Sequence, residues 1–266
     1  MKSILALAAG FLLQSVSAVP SEASSRVSNA SPHGIVKRLD NSQLTYFPAA
    51  NSTGTGVLVC PGGGYAIVAI DKEGYAPAKW LNGLGIDAWV LDYTTASNAT
   101  PPIYPKPQDE ALDALSYIRG QNRTTKLGIW GFSAGGHLAA VTLTDPDTRL
   151  DFGILAYPVI TLEGNYTHVG SRNNLIGADA SPALEHELSA QNRVSATTPP
   201  TFLFQTADDD TVPVQNSLLF ANAMVAHSRP VQALILPDGP HGLGLALDDP
   251  KRNWTPELER FLKYSI

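Results

Sequence analysis

The chain has 266 residues, of which 44% are hydrophobic and 16% charged, with a net charge of −6. That length suits one α/β domain, and the apolar share is enough for a packed core. An acidic chain without a Lys/Arg cluster offers no face for neutralising phosphates, which argues against a nucleic-acid partner.

In chain order, residues 1–18 read as a signal peptide. Lys2 supplies the positive start, residues 4–13 form an apolar run, and small residues Val16 and Ala18 precede the expected cleavage after Ala18. The run is too short to span a bilayer, and no later segment is apolar for long enough. A secreted, extracellular protein with no membrane partner is expected. Residues 19–35 are rich in Ser, Ala and Pro and read as a flexible arm, leaving 36–266 as a single domain. Six N-x-S/T sequons, at Asn29, Asn51, Asn98, Asn122, Asn165 and Asn253, agree with a secretory route and mark candidate glycosylation sites. The one cysteine, Cys60, cannot close an intramolecular disulfide. It ends an apolar run and reads as a small buried hydrophobe.

Strands are predicted over 44–47, 56–60, 88–93, 127–130, 152–157, 201–205 and 231–236. Helices are predicted over 75–84, 107–119, after Ser133, over 214–226 and over 255–264. In the second of these, Ala111, Leu112, Leu115 and Ile118 share one face. Strands alternating with helices imply parallel pairing through right-handed crossovers. Short apolar strands without polar alternation fit a sheet covered on both faces. Residues 158–200 have weak periodicity and many turn formers. They read either as walls of a substrate pocket or as an ordered loop with short helices.

The sharpest motif is Gly131-Phe132-Ser133-Ala134-Gly135, between an apolar strand and a helix. That is the context of a nucleophile elbow, where a sharp turn exposes the serine hydroxyl above the sheet. The helix that follows aims its first amides at the site, favouring developing negative charge. A serine hydroxyl needs a base. His241 follows the late strand over 231–236, where the order Ser, acid, His would place the base. His137 lies in the helix after Ser133 and suits packing or capping. His168 lies in the loop over the site and is open to pocket contact, while His33, His186 and His227 read as surface residues. The acid falls in Asp208-Asp209-Asp210, after the strand over 201–205, and residue chemistry alone leaves the three open. The other two would be solvated or cap the helix near Val214. The oxyanion donors are expected from Ala134 and from Gly64 or Gly63 in Pro61-Gly62-Gly63-Gly64-Tyr65.

These residues, with Lys79-Trp80-Leu81-Asn82, Gly170-Ser171-Arg172 and His241-Gly242-Leu243-Gly244-Leu245, resemble α/β-hydrolase esterases. The likeness is to the acetyl-xylan-esterase and feruloyl-esterase group, related to the hormone-sensitive-lipase branch. It implies an α/β-hydrolase fold, a mostly parallel central sheet flanked by helices without a large cap domain. It also implies Asp209 as the acid, four positions before Pro213, with Asp210 as runner-up. Where lipase-like relatives begin the glycine run with histidine, this chain has Pro61. The expected reaction is hydrolysis of a small-molecule or carbohydrate ester, through Ser133, His241 and Asp209, with small acyl groups favoured. A broad carboxylesterase or feruloyl esterase is the alternative within enzymes, and an inactive hydrolase-fold binding protein the alternative outside them. No metal or organic cofactor is implied, and nothing in the sequence fixes an oligomeric state.

Overall fold

Strands with apolar residues on both faces need helices on both sides, and the chain supplies them. The computed structural model describes residues 35–39 and 42–266. The expected signal peptide, the expected arm up to residue 34, Asn29 and His33 lie outside the described residues. Eight strands of the described residues form one sheet: β1 (Ile35–Leu39), β2 (Ser42–Phe47), β3 (Thr55–Cys60), β4 (Asp87–Asp92), β5 (Lys126–Phe132), β6 (Phe152–Ala156), β7 (Thr201–Thr206) and β8 (Val231–Leu236). Their spatial order is β1-β2-β4-β3-β5-β6-β7-β8. β3 to β8 run parallel, and β2 and β1 continue the sheet antiparallel at one edge.

Among the described residues seven α-helices accompany the sheet: α1 (Ala76–Gly83), α2 (Lys106–Gly120), α3 (Ser133–Leu143), α4 (Val169–Ile176), α5 (Pro182–Leu188), α6 (Gln215–Ala226) and α7 (Thr255–Tyr264). Strand residues alternate between two cores. Leu58, Ile129, Leu155 and Leu203 pack with Leu115 and Ile118 of α2, Leu138 of α3 and Phe220 of α6. Val57, Val59, Trp130, Phe202 and Phe204 face the other way, towards Leu81 of α1 and Leu258 and Phe261 of α7. Aromatic rings dominate this second core: Phe204 stacks on Trp254 with centroids 4.5 Å apart and planes at 7°. Each such buried side chain is worth roughly 1.5–3 kcal/mol over its exposed state.

The expectation of a mostly parallel sheet flanked by helices is met. Two local expectations need correction. Ile35, placed in the arm, opens β1, whose Lys37 and Arg38 hid an edge strand paired with β2. The helix expected from residue 75 starts at Ala76, after a π-helical turn over Asp71–Tyr75. Of the two readings for the spare aspartates, the solvated one holds: Asp208 and Asp210 are exposed, and the N-cap position of α6 is Val214. Residues 158–200 contain the short helices α4 and α5, so the second reading of that stretch describes its form.

The expected catalytic and oxyanion residues sit where strands end. Turns after the carboxyl ends of β3, β5, β7 and β8 carry Gly63 and Gly64, Ser133, Asp209 and His241 respectively. In open α/β sheets the crevice beyond those ends is where ligands bind.

Candidate active site

Ser133 begins α3 directly at the end of β5, with φ of +51°. For a non-glycine residue that left-handed conformation is strained and needs support. Its support is close packing. A Cβ on Gly135 would stand 2.1 Å from the Cys60 carbonyl oxygen and 2.2 Å from that of Pro61. Only glycine lets α3 approach β3 so closely, which holds the hydroxyl up beside the glycine turn. Ser133 is 6% exposed.

The hydroxyl donates to His241 Nε2 at 2.8 Å. His241 Nδ1–H donates to Asp209 Oδ2 at 2.7 Å. Asp209 has a fully buried side chain and three further donors: Gln205 Nε2, Thr211 N and Val212 N. Four donors suit an acceptor-only carboxylate and fix its direction. They also fix the tautomer of His241, leaving Nε2 as the acceptor that faces the serine. Asp208 is exposed and accepts the Gly239 N–H at 2.7 Å, steadying the loop before His241. Asp210 is exposed and accepts from Thr211 Oγ1. Of the three aspartates, it is Asp209 that the fold brings to the histidine.

The glycine turn lies alongside. The Gly62 N–H is occupied by Glu73 Oε2 at 2.9 Å. Among the described residues neither the Gly63 nor the Gly64 N–H meets an acceptor. Ala134, in the first turn of α3, has no intrahelical acceptor either. Gly64 has φ of +66°, a region that costs glycine nothing. Its carbonyl accepts from Asn174 Nδ2 of α4 at 2.9 Å, which ties the segment over the site to the turn.

The histidines fall into distinct environments. His137 is buried, and burial pushes its pKa down to about 4. Its Nε2–H donates to the Leu188 carbonyl at 2.7 Å, so Nδ1 accepts from the Tyr65 hydroxyl at 2.9 Å. That is the packing role expected of it. His168 caps α4: its Nδ1 accepts from Ser171 N, so the neutral ring carries its proton on Nε2. Burial lowers its pKa, and the nearby His241 lowers it further. Its ring stands over the oxyanion turn, with Cε1 3.9 Å from where a Cβ on Gly64 would be. His186 is exposed and pairs with Glu163, and His227 is exposed after α6.

Three residues beside the site went unseen in the sequence: Glu73, Tyr157 and Asn174. Glu73 lies before the helix expected over 75–84, in a stretch without a pattern, and Tyr157 reads as the last residue of an apolar strand. Asn174 stands just after Gly170-Ser171-Arg172, the nearest thing to a signal. Among the described residues no group of three His, Cys, Asp or Glu side chains is placed to hold a metal ion. No described helix is long and apolar enough to cross a membrane.

Sheet order, strand-to-helix elbow and the Ser133–His241–Asp209 geometry together define an α/β-hydrolase. Residues 106–266 match the model of the prolyl oligopeptidase family, and the chain belongs to that family. It is 36% identical over 218 residues to an endo-1,4-beta-xylanase B of Butyrivibrio fibrisolvens, covering 75% of this chain and 34% of that protein. It is 34% identical over 209 residues to an acetylxylan esterase of Xylanibacter ruminicola, covering 76% of this chain and 44% of that one. The chain thus spans less than half the length of these curated relatives. Among solved structures, an acetyl ester-xyloside bifunctional hydrolase from Caldicellulosiruptor lactoaceticus superposes with a TM-score of 0.77 at 37% identity. That match covers 84% of this chain and 87% of the other.

Proposed function

We propose that the protein is a serine carboxylic-ester hydrolase, acting outside the cell, that removes small acyl groups such as acetyl from carbohydrate esters. The observation that carries this reading is the unbroken hydrogen-bonded chain from Asp209 through His241 to Ser133 on a strained elbow. In the proposed reaction Ser133 Oγ bonds to the acyl carbon while His241 Nε2 takes its proton. Asp209 accepts from Nδ1–H throughout and stabilises the imidazolium. The carbonyl oxygen becomes an oxyanion held by the N–H of Ala134 and of Gly64 or Gly63. Collapse breaks the ester C–O bond, and His241 gives its proton to the departing alcohol. Water then attacks the acyl-enzyme, with His241 again as base, and frees the acid and Ser133.

The carbohydrate half of the reading is supported by the similarity to an acetylxylan esterase and an acetyl ester-xyloside hydrolase. His168 supports it too. Its Nε2–H has no acceptor among the described residues and is a donor suited to a sugar hydroxyl. Tyr166, 44% exposed, adds an open aromatic surface two residues away. Secretion rests on the signal-like residues 1–18 and on the sequons. Asn51, Asn98, Asn122 and Asn165 are exposed and suited to glycosylation. Asn253 is half-buried, and its Oδ1 accepts from Thr255 N and Oγ1 at the start of α7, a poor position for a glycan. Residues 36–266 act in this proposal as one catalytic domain.

The test is a substrate panel: nitrophenyl acetate, butyrate and octanoate beside acetylated xylan and methyl ferulate. Acetate should be released fastest, from xylan as well as from the nitrophenyl ester. A fluorophosphonate should label Ser133 and nothing else. Labelling at another residue, or octanoate released as fast as acetate, would overturn the assignment or its small-acyl part respectively.

A further inference from the structure

Two backbone irregularities meet beside the site. The first is the π-helical turn over Asp71–Tyr75, which turns Glu73 inward until it is 5% exposed. Such turns recur at functional sites. The second is Tyr157, at the end of β6, held at φ of +38°. A bulky side chain there persists only when surrounding contacts fix it.

The two side chains bond to each other. Glu73 Oε1 accepts from the Tyr157 hydroxyl at 2.8 Å, and Oε2 accepts from the Gly62 N–H at 2.9 Å. The Tyr157 oxygen in turn accepts the Gly244 N–H at 2.8 Å. Gly62 adjoins the oxyanion donors, and Gly244 lies in the loop that carries His241. The Tyr157 ring stands edge-on to the imidazole, with centroids 5.1 Å apart and planes at 71°. The carboxylate is also close to both reacting side chains. A Cβ on Gly62 would be 2.6 Å from Glu73 Oε2 and 2.8 Å from Ser133 Cβ, and one on Gly242 would be 3.8 Å from Glu73 Oε1.

We propose that Glu73 is a positioning residue for the ester hydrolysis put forward above, a second carboxylate that serves His241 by its charge and holds the base loop against the oxyanion turn through Tyr157. The inference rests on that hydrolase reading. Its physical ground is the cost of the charge. Burial disfavours the carboxylate and raises its pKa, against the hydrogen bonds from Tyr157 and Gly62 and the charges of His241 and Lys72. A glutamine could occupy the same place without that cost, accepting from the Gly62 N–H and donating to the Tyr157 oxygen. What a glutamine lacks is the negative charge facing an imidazole that turns cationic as it takes the serine proton. The groups around this arrangement are Lys72, Tyr93, Tyr157 and His241 about Glu73, and Asp209 and His168 about His241.

The experiment compares wild type, Glu73→Gln, Tyr157→Phe and Ser133→Ala with nitrophenyl acetate across about pH 4 to 9, with thermal melts of each. In Glu73→Gln, kcat should fall by about 10- to 100-fold with KM little changed, the scale of a displaced reacting group. The acid limb of kcat/KM should move to lower pH, since the lost charge no longer favours the protonated base. In Tyr157→Phe, kcat should fall while the acid limb stays, because the charge remains. A folded Glu73→Gln protein with wild-type kcat, or with an unmoved acid limb, overturns the role of the charge. Should that variant not fold, a folded Tyr157→Phe protein with wild-type kcat overturns the proposal by itself. Wild type that neither turns over esters nor labels at Ser133 removes the hydrolase reading and this inference together. Active wild type with unaffected variants removes this inference alone.

Discussion

Tyr65 and His137 meet hydroxyl to Nδ1 at 2.9 Å, directly behind the glycine turn, and neither is open to solvent. The pair joins the residue after Gly64 to α3, and His137 Nε2 joins both to Leu188 at the end of α5. Three segments that surround Ser133 are therefore tied through one neutral imidazole.

This tie has a signed pH dependence. The folded pKa of His137 is pushed down to about 4 from an unfolded value of 6.5, so the unfolded chain binds the proton first as pH falls. The contribution to stability is full above about pH 6.5 and is lost as pH falls through about 4. The shift corresponds to roughly 3 kcal/mol. Urea unfolding of wild type and His137→Gln between pH 7 and 4, extrapolated linearly to zero denaturant, checks it. Wild type should lose more stability than the variant over that window, and equal losses would contradict the assignment.

Asp209→Asn should keep the fold and lose about 10⁴-fold in kcat, because the amide can donate to Nδ1 and so stabilise the wrong imidazole tautomer. Asp210→Asn, altered on an exposed side chain, should keep wild-type kcat on nitrophenyl acetate. Steady-state kinetics on the two purified variants separate the adjacent aspartates.

Gly135→Ala forces a Cβ to within 2.1 Å of a backbone oxygen, which no side-chain rearrangement relieves. A loss above about 4 kcal/mol, or no soluble protein, is expected. Gly120→Ala at the end of α2 meets nothing within 4 Å and should stabilise by about 0.5–1 kcal/mol. Denaturant midpoints of the pair show whether space or glycine entropy decides at each position.

His168→Ala should raise KM for acetylated xylan-derived oligosaccharides while changing KM for nitrophenyl acetate little, since the donor it removes has a partner only in a sugar. About 1 kcal/mol, or several-fold in KM, is the scale of one lost hydrogen bond. Equal effects on both substrates would assign His168 to support of the turn instead.

The central strands were legible because they are short apolar runs between glycine-rich turns, and all the central ones stand within two residues of where the pattern puts them. The elbow was legible because the strand, turn and helix around Ser133 are contiguous. Asp209 was not legible from chemistry, since three identical neighbours differ only in which one the loop buries. Glu73 was invisible for a related reason. Its inward direction comes from a π-helical turn, and no periodicity in Asp71-Lys72-Glu73-Gly74 announces that turn. Tyr157 owes its position to a positive φ at the end of a strand, another property that spacing does not encode.

Cys60 closes β3 with no exposed surface, and burial pushes its thiol up, far from the reactive thiolate range. It is the one cysteine in the chain, and its carbonyl is the wall that Gly135 must clear. A thiol reagent therefore finds its target when the centre of the sheet has parted beneath the elbow. The rate of Cys60 modification is a built-in clock for that opening, readable in the native protein without an engineered probe site.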